Sequence, residues 1–428
     1  MNNKSQDVNF LIFTTFITLF SPMFMVYFGL VVEQLLTFLL CFLAFLFLLN
    51  NRKQFDIGPL YIAFVFMALL LVSILRSFDV LIINDIFELG KPIYFFSIFA
   101  MTSSIHWNNS KVLKYFSSLM FMLLLGALIG IGEGTVNTID ELTSIVYKGK
   151  REVLTHKAIF SFISPYVFAT VLLLPIFYNI IRLMRIGNNT IISDMFKLFV
   201  FLLCFFLTQS RTIFISLILT LIIFFLFILF NKWYPERTKI IYIFMIIVVT
   251  IVISIPFIIS YMEANLNYLY AGLNVVVKQF DDFTVDRLIR SSRSTMLRFD
   301  QILFAIKRQD VIPLIGVGIG KSLFMPESLY AMYYYRVGLI GVFIHFGLIF
   351  YTIYWSLYFT KMYAKLNLIC RKYFAIMSIF FAIAIYFMSF VFDYLSSAIN
   401  DQTRSGFIFY VLIAIVHYYK NHYKLERT

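Results

Sequence analysis

Apolar runs of about twenty residues, broken by short polar interruptions, repeat along almost the whole chain, and that pattern leaves few folds open. A bilayer core offers no water to backbone N–H and C=O groups, so only helices and closed barrels cross it. Barrel strands alternate in hydrophobicity over about ten residues. These runs are instead continuous over the ~20 residues that one spanning helix needs. Only 13% of the 428 residues are charged and 61% are apolar, against about 25% charged in soluble domains. Soluble classes are thereby excluded. The expected fold is an all-α polytopic membrane protein, one integral membrane domain over 1–428 with about 12 transmembrane helices.

The runs place spans near 8–28, 30–49, 58–75, 83–104, 115–132 and 158–181. The stretch 197–231 is too long for one helix and is interrupted by Thr208-Gln209-Ser210-Arg211-Thr212, so it reads as two. Further spans fall near 240–260, 329–359, 373–392 and 406–419, with polar loops at 133–157 and 261–328. Lys and Arg concentrate on the cytoplasmic side of membrane proteins. With both termini cytoplasmic, the inner segments carry an excess of cations equal to the entire formal charge of +13. A nucleic-acid partner is therefore not needed to explain the basic balance. Cys41, Cys204 and Cys370 are scattered and suggest neither a disulfide framework nor a metal site.

The external side is neutral in sum but uneven. Lys278, Arg287, Arg290, Arg293, Arg298, Lys307 and Arg308 all fall in the loop 261–328. One reading is a solvated loop lying on anionic headgroups; the other is a cationic site for an anionic substrate. Within it, Thr295–Arg308 reads as an amphipathic helix with Ser294 as N-cap and Met296, Phe299, Leu303 and Ile306 on one face. Arg211 sits between two apolar runs, where a cation is costly unless it is paired or faces a wet cavity; a functional role is the default reading and snorkelling to headgroups the alternative. Asp85, Glu88 and Lys91 share one broad face of a span and suggest an internal ion pair. His345 lies inside a span and reads as a packing residue.

Gly316-Val317-Gly318-Ile319-Gly320-Lys321-Ser322 superficially resembles a phosphate-binding loop, but its spacing is one residue short and no βαβ context surrounds it. The glycines fit close backbone packing, and Gly316 and Gly320 also fit small-residue helix contacts. Glu327 directly precedes a span. There a carboxylate either favours the helix dipole or, if partly desolvated, serves as a general base. His156 lies in the cationic segment Lys148–Lys157.

Taken in order, four segments resemble the O-antigen polymerase and O-antigen ligase superfamily of bacterial envelope enzymes. These are Arg151–Pro165, Ser210-Arg211-Thr212, Arg293 followed by Pro313–Gly320, and Glu327-Ser328-x-Tyr330 followed by Gly338-Leu339-Ile340-Gly341. The resemblance implies a metal-independent glycosyltransferase in the inner membrane of a Gram-negative bacterium, with no cofactor and an active site facing the periplasm. It implies undecaprenyl pyrophosphate-linked oligosaccharide as substrate, membrane lipids as surroundings and a chain-length regulator protein as partner. Ligases of this family typically carry His-Asn where this chain has Glu327-Ser328, which favours a polymerase; a ligase, or a flippase of another class, are the alternatives. The resemblance makes Arg211, Arg293 and Glu327 the catalytic candidates. Arg298, Arg336, Arg151, His156, Gly316, Gly318 and Gly320 are then the candidates for binding the pyrophosphate and substrate.

Overall fold

A computed structural model describes residues 3–22, 25–27, 30–50, 58–76, 85–148, 157–184, 190–231, 260, 293–307, 313–318, 328–369, 373–395 and 402–422. The helices are α1 (Asn3–Phe20), α2 (Val32–Asn50), α3 (Gly58–Arg76), α4 (Asp85–Ser103), α5 (Asn109–Thr135), α6 (Asn137–Thr143), α7 (Pro165–Leu183), α8 (Ile191–Leu207), α9 (Arg211–Phe230), α10 (Arg293–Lys307), α11 (Leu329–Ile369), α12 (Phe374–Asp393) and α13 (Thr403–His422). A π-helical turn, Ser144–Lys148, follows α6. Two short strands, Met25–Tyr27 and Leu30–Val31, pair antiparallel between α1 and α2. The first apolar run thus leaves the helix at Phe20, earlier than the expected end near residue 28.

Five helices among the described residues are long and apolar enough to cross a membrane: α5, α7, α9, α11 and α12. Shorter apolar helices cover Gln6–Phe20, Leu35–Asn50 and Met67–Arg76. The expected span 240–260 lies outside the described residues except for Ser260. Burial divides the helices by role. α12 is buried along most of its length and packs against α7, α9 and α11. α7 is buried likewise and packs against α8. In contrast, α9 and α11 turn large apolar side chains such as Ile222, Phe230, Phe343 and Phe350 outward. Water would penalise those faces; lipid does not.

Many polar side chains inside these helices are satisfied locally, as an apolar medium favours. Thr14 and Thr15 donate to Leu11 O, and Thr18 donates to Thr14 O. Hydroxyl pairs then join helices: Thr15 meets Tyr115 at 3.3 Å and Thr37 meets Thr403 at 3.0 Å. His345 is buried, with Nε2 2.8 Å from the Tyr394 hydroxyl and its ring stacked on Phe409, so it acts as a packing residue. Away from the site, Arg182 pairs with Asp194 at 3.0 Å and thereby staples α7 to α8. Asp85 and Glu88 belong to α4, but their side chains lie outside the described set, and so does their expected pairing with Lys91.

Candidate functional site

The split expected at 208–212 is present, and its geometry explains Arg211. Thr208 Oγ1 donates to Phe205 O at 2.6 Å and ends α8. Gln209 then takes a φ of 52° to turn the chain. That turn makes Arg211 the first residue of α9. A helix N-terminus carries partial positive charge, so a cation there opposes the dipole. The Arg211 charge therefore does not stabilise the helix through its dipole, whereas an anion at this point would be favoured by it.

The run expected to be helical from 158 begins only at Pro165, and residues 157–164 wrap across the ends of α5 and α8 instead. Ala158 N–H donates to Leu207 O at 3.1 Å. Fully buried Glu133, on the last turn of α5, accepts the N–H groups of Ile159 and Phe160 at 2.7 Å each. These bonds fix Phe160 at a φ of 50°, which explains why a continuous apolar run is not helical here. The same anchoring brings Lys157 into electrostatic range of Arg211; burial first, and the guanidinium second, hold its amine below the usual lysine value.

α10 bridges this corner to α11. Arg298 Nη1 lies 3.3 Å from Thr212 Oγ1, which ties α10 to the first turn of α9. One helical turn and two turns onward, Ile302 and Ala305 pack on Ala331 and Tyr335 of α11. The protein-facing stripe is therefore 298, 302 and 305. The apolar face read from the sequence points away from the protein: Met296, Phe299 and Ile306 are 44%, 40% and 57% exposed. Ala305 is small enough for close approach, whereas the larger residues point away. Ser294 is not the N-cap either, because the helix already begins at Arg293. Reporter groups at 296 and 299, in nanodiscs, are expected to be quenched by brominated lipid and not by aqueous iodide. A reporter at Asp300 serves as the comparison, and the same iodide quenching at all three would contradict a lipid-facing stripe.

Residues 313–318 pair with a break in α11. Gly338 has φ 65° and ψ −168°, which frees backbone groups on both sides of it. Val317 N–H donates to Tyr335 O at 2.8 Å and Gly318 N–H to Arg336 O at 3.1 Å. Leu339 N–H donates to Pro313 O at 2.8 Å and Ile340 N–H to Leu314 O at 3.2 Å. Each glycine faces the other segment's backbone. A Cβ on Gly316 would lie 2.5 Å from Arg336 C, and one on Gly338 would collide with Leu314. Gly316 and Gly318 adopt φ of 70° and 120° and lie outside any helix, so close backbone approach is their role and helix packing is not. α3 clamps the pair: Arg76 Nη1 donates to Gly316 O at 2.9 Å and Ser73 Oγ to Ile315 O at 3.2 Å. The Arg336 side chain is buried beside this crossing.

The start of α11 is docked on the end of α12. Ser328 Oγ and Leu329 N–H donate to Tyr394 O, at 3.2 and 3.1 Å, and the Tyr330 hydroxyl donates to Val391 O at 2.6 Å. Directly beside this contact, fully buried Asp393 accepts from Ser389 Oγ at 2.9 Å, and Ser216 Oγ of α9 donates to Ser389 O at 3.3 Å. Ser389 thereby joins α9 to the end of α12.

The structure thus brings Arg211, Arg298, Arg336, Gly316 and Gly318 to one end of the bundle. Arg293 starts α10, but its side chain lies outside the described set. Arg151, His156, Gly320 and Glu327 also lie outside the described residues. Sequence reasoning passed over Lys157, Glu133, Arg76 and Asp393. Each is a charged residue at the end of an apolar run, and that position was the available signal.

Residues 196–343 match the family model described as O-antigen ligase, in line with the O-antigen polymerase and ligase superfamily. The matched segment contains Arg211, α10, the Gly316–Gly338 crossing and the start of α11. No curated protein matches the chain at a significant level.

Proposed function

We propose that this chain is an O-antigen polymerase, which transfers a growing oligosaccharide from undecaprenyl pyrophosphate onto the next lipid-linked repeat unit at the periplasmic face of the inner membrane. The observation that carries the reading is the convergence of Arg211, Arg298 and the glycine crossing at one end of an apolar helical bundle, inside the matched segment. In this reaction the bond between the donor's anomeric carbon and the diphosphate oxygen breaks. A bond from the same carbon to an acceptor sugar hydroxyl forms. The leaving diphosphate gains negative charge in the transition state, and fixed guanidinium groups stabilise that charge where it develops. Arg211 has the principal role, because the first turn of α9 adds its own dipole to the side-chain charge. Arg293, Arg298 and Arg336 supply further positive charge.

The acceptor hydroxyl must lose its proton. Glu327 is the proposed base, with His156 second; Glu327 immediately precedes Ser328, whose side chain is fixed on Tyr394 O. Positioning matters as much as charge, since misplacing reacting groups by about 1 Å costs on the order of 100-fold in rate. The glycine crossing and the Asp393 contacts supply that rigidity. A ligase is the second reading, favoured by the description of the matched family model. It would deliver finished polymer to lipid A–core from the same donor. Deleting the gene separates them: loss of a polymerase leaves single repeats, whereas loss of a ligase leaves long polymer on the lipid carrier. A flippase would leave lipid-linked repeats on the cytoplasmic side.

A further inference from the structure

The seam between α9 and α12 is apolar at depth and polar toward the bundle end that carries the site. Two contacts set its register. Ser216 Oγ donates to Ser389 O at 3.3 Å, and eight residues on along α9 and eight back along α12 the Phe224 and Phe381 rings lie 5.1 Å apart. The two helices therefore run antiparallel. Between these contacts, Thr220 and Tyr386 occupy the next turn inward from Ser216 and Ser389, and Asp393 occupies the turn outward. Ser216, Thr220, Tyr386, Ser389 and Asp393 are all fully buried.

Hydrogen bonds do not satisfy this set. Asp393 Oδ1, Thr220 Oγ1 and the Tyr386 hydroxyl have no hydrogen-bond partner among the described residues. Asp393 Oδ2 has one donor, Ser389 Oγ at 2.9 Å, and the same hydroxyl has a second acceptor in Tyr386 O at 2.8 Å. A single hydroxyl proton serves both. Two other buried carboxylates are compensated: Asp194 pairs with Arg182, and Glu133 accepts two backbone N–H groups. Asp393 has no ion pair with a lysine, arginine or histidine among the described residues. A carboxylate left so between two spanning helices is costly and points to a bound partner.

The chemistry of the seam indicates which partner. Its candidate ligands are a carboxylate, hydroxyls and a main-chain carbonyl, all oxygens and the donor set of hard cations. One negative charge balances a monovalent ion, whereas a divalent ion would leave net charge in an apolar seam. Close packing of the helices at Ser216 and Ser389 favours a small ion. We propose that Asp393, with Ser216 and the main-chain carbonyl of Ser389, binds a sodium ion in the α9–α12 seam, with Thr220 and Tyr386 lining its inner side. The ion neutralises the carboxylate and holds the start of α9 against the end of α12, whichever reaction the chain catalyses.

The test uses the full chain in nanodiscs, with thermal unfolding followed in sodium, potassium and choline chloride at equal ionic strength. Saturating sodium is expected to raise the midpoint by about 2–5 °C, and potassium and choline are expected not to. Asp393→Asn keeps the side-chain volume and removes the charge. It is expected to bind no radiolabelled sodium, to lose the sodium shift, and to melt in choline at or above the wild-type midpoint. Ser216→Ala keeps the carboxylate and is expected to weaken sodium binding about tenfold. Equal wild-type midpoints in the three salts would overturn the site and assign the charge balance to a proton. A sodium shift that survives Asp393→Asn would overturn it too, as would potassium acting as well as sodium, the mark of general screening. The transfer reaction is tested separately by its products, so failure of the sodium site leaves the proposed function standing.

Discussion

Arg211→Ala is expected to collapse the polysaccharide ladder to single repeats while the protein remains inserted at normal abundance. Truncation removes the cation that begins α9, together with the charge proposed to meet the leaving diphosphate. Removing one preorganised donor of this kind costs about 100- to 1000-fold in turnover. The fold should be almost indifferent, because a cation at this position opposes the α9 dipole and its loss is neutral or slightly favourable for the helix. Activity and stability should therefore separate. Purified variant protein is expected to keep the wild-type melting midpoint within a few degrees and to lose its product ladder. A full ladder from Arg211→Ala would remove this residue from the mechanism.

Gly338→Ala is expected to do the opposite and act first on stability. The residue has φ 65°, where an L side chain costs about 1–2 kcal/mol. Its new Cβ would also strike the Leu314 backbone, so the segment 313–318 has to move away. Four backbone hydrogen bonds hold that segment to α11, and each contributes about 0.5–1.5 kcal/mol net. The combined loss of about 3–8 kcal/mol is a large share of a typical folding free energy of about 5–15 kcal/mol. Gly347→Ala provides the control, since a Cβ there meets nothing within 4 Å and a helical position prefers alanine. Thermal denaturation of both variants in the same detergent should show a clear drop for Gly338→Ala and none for Gly347→Ala. Equal midpoints would mean that the crossing is not a structural constraint.

The helical bundle was legible in the sequence because lipid imposes so simple a rule on the backbone. Apolar runs located α2, α3, α4, α8 and α9 closely, and the polar break at 208–212 located a real turn. What hydropathy did not convey is the backbone conformation set by tertiary hydrogen bonds. Residues 158–164 lie in an apolar run, yet Glu133 and Leu207 hold them in a non-helical turn across two helix ends. Gly338 sits inside a stretch read as one continuous span, and its positive φ goes with a partner segment about twenty residues upstream. Which face of α10 meets the protein was not legible for a related reason. Periodicity marks which residues are apolar, but Ala305 and Arg298 make the protein contact, and the apolar stripe is left for lipid. The arginines were legible because charge between apolar runs is conspicuous. Glu133 was not, since its role comes from a loop whose path the sequence does not reveal.

The central claim is that one end of this helical bundle joins lipid-linked repeats by displacing undecaprenyl pyrophosphate. Purified full-length protein in nanodiscs, supplied only with the lipid-linked repeat and no nucleotide sugar, tests it most directly. Gel separation of the products is expected to show a ladder of lengthening oligosaccharides, with undecaprenyl pyrophosphate released in proportion to the bonds formed. Single repeats alone from active, well-folded protein, with no pyrophosphate lipid released, would contradict it.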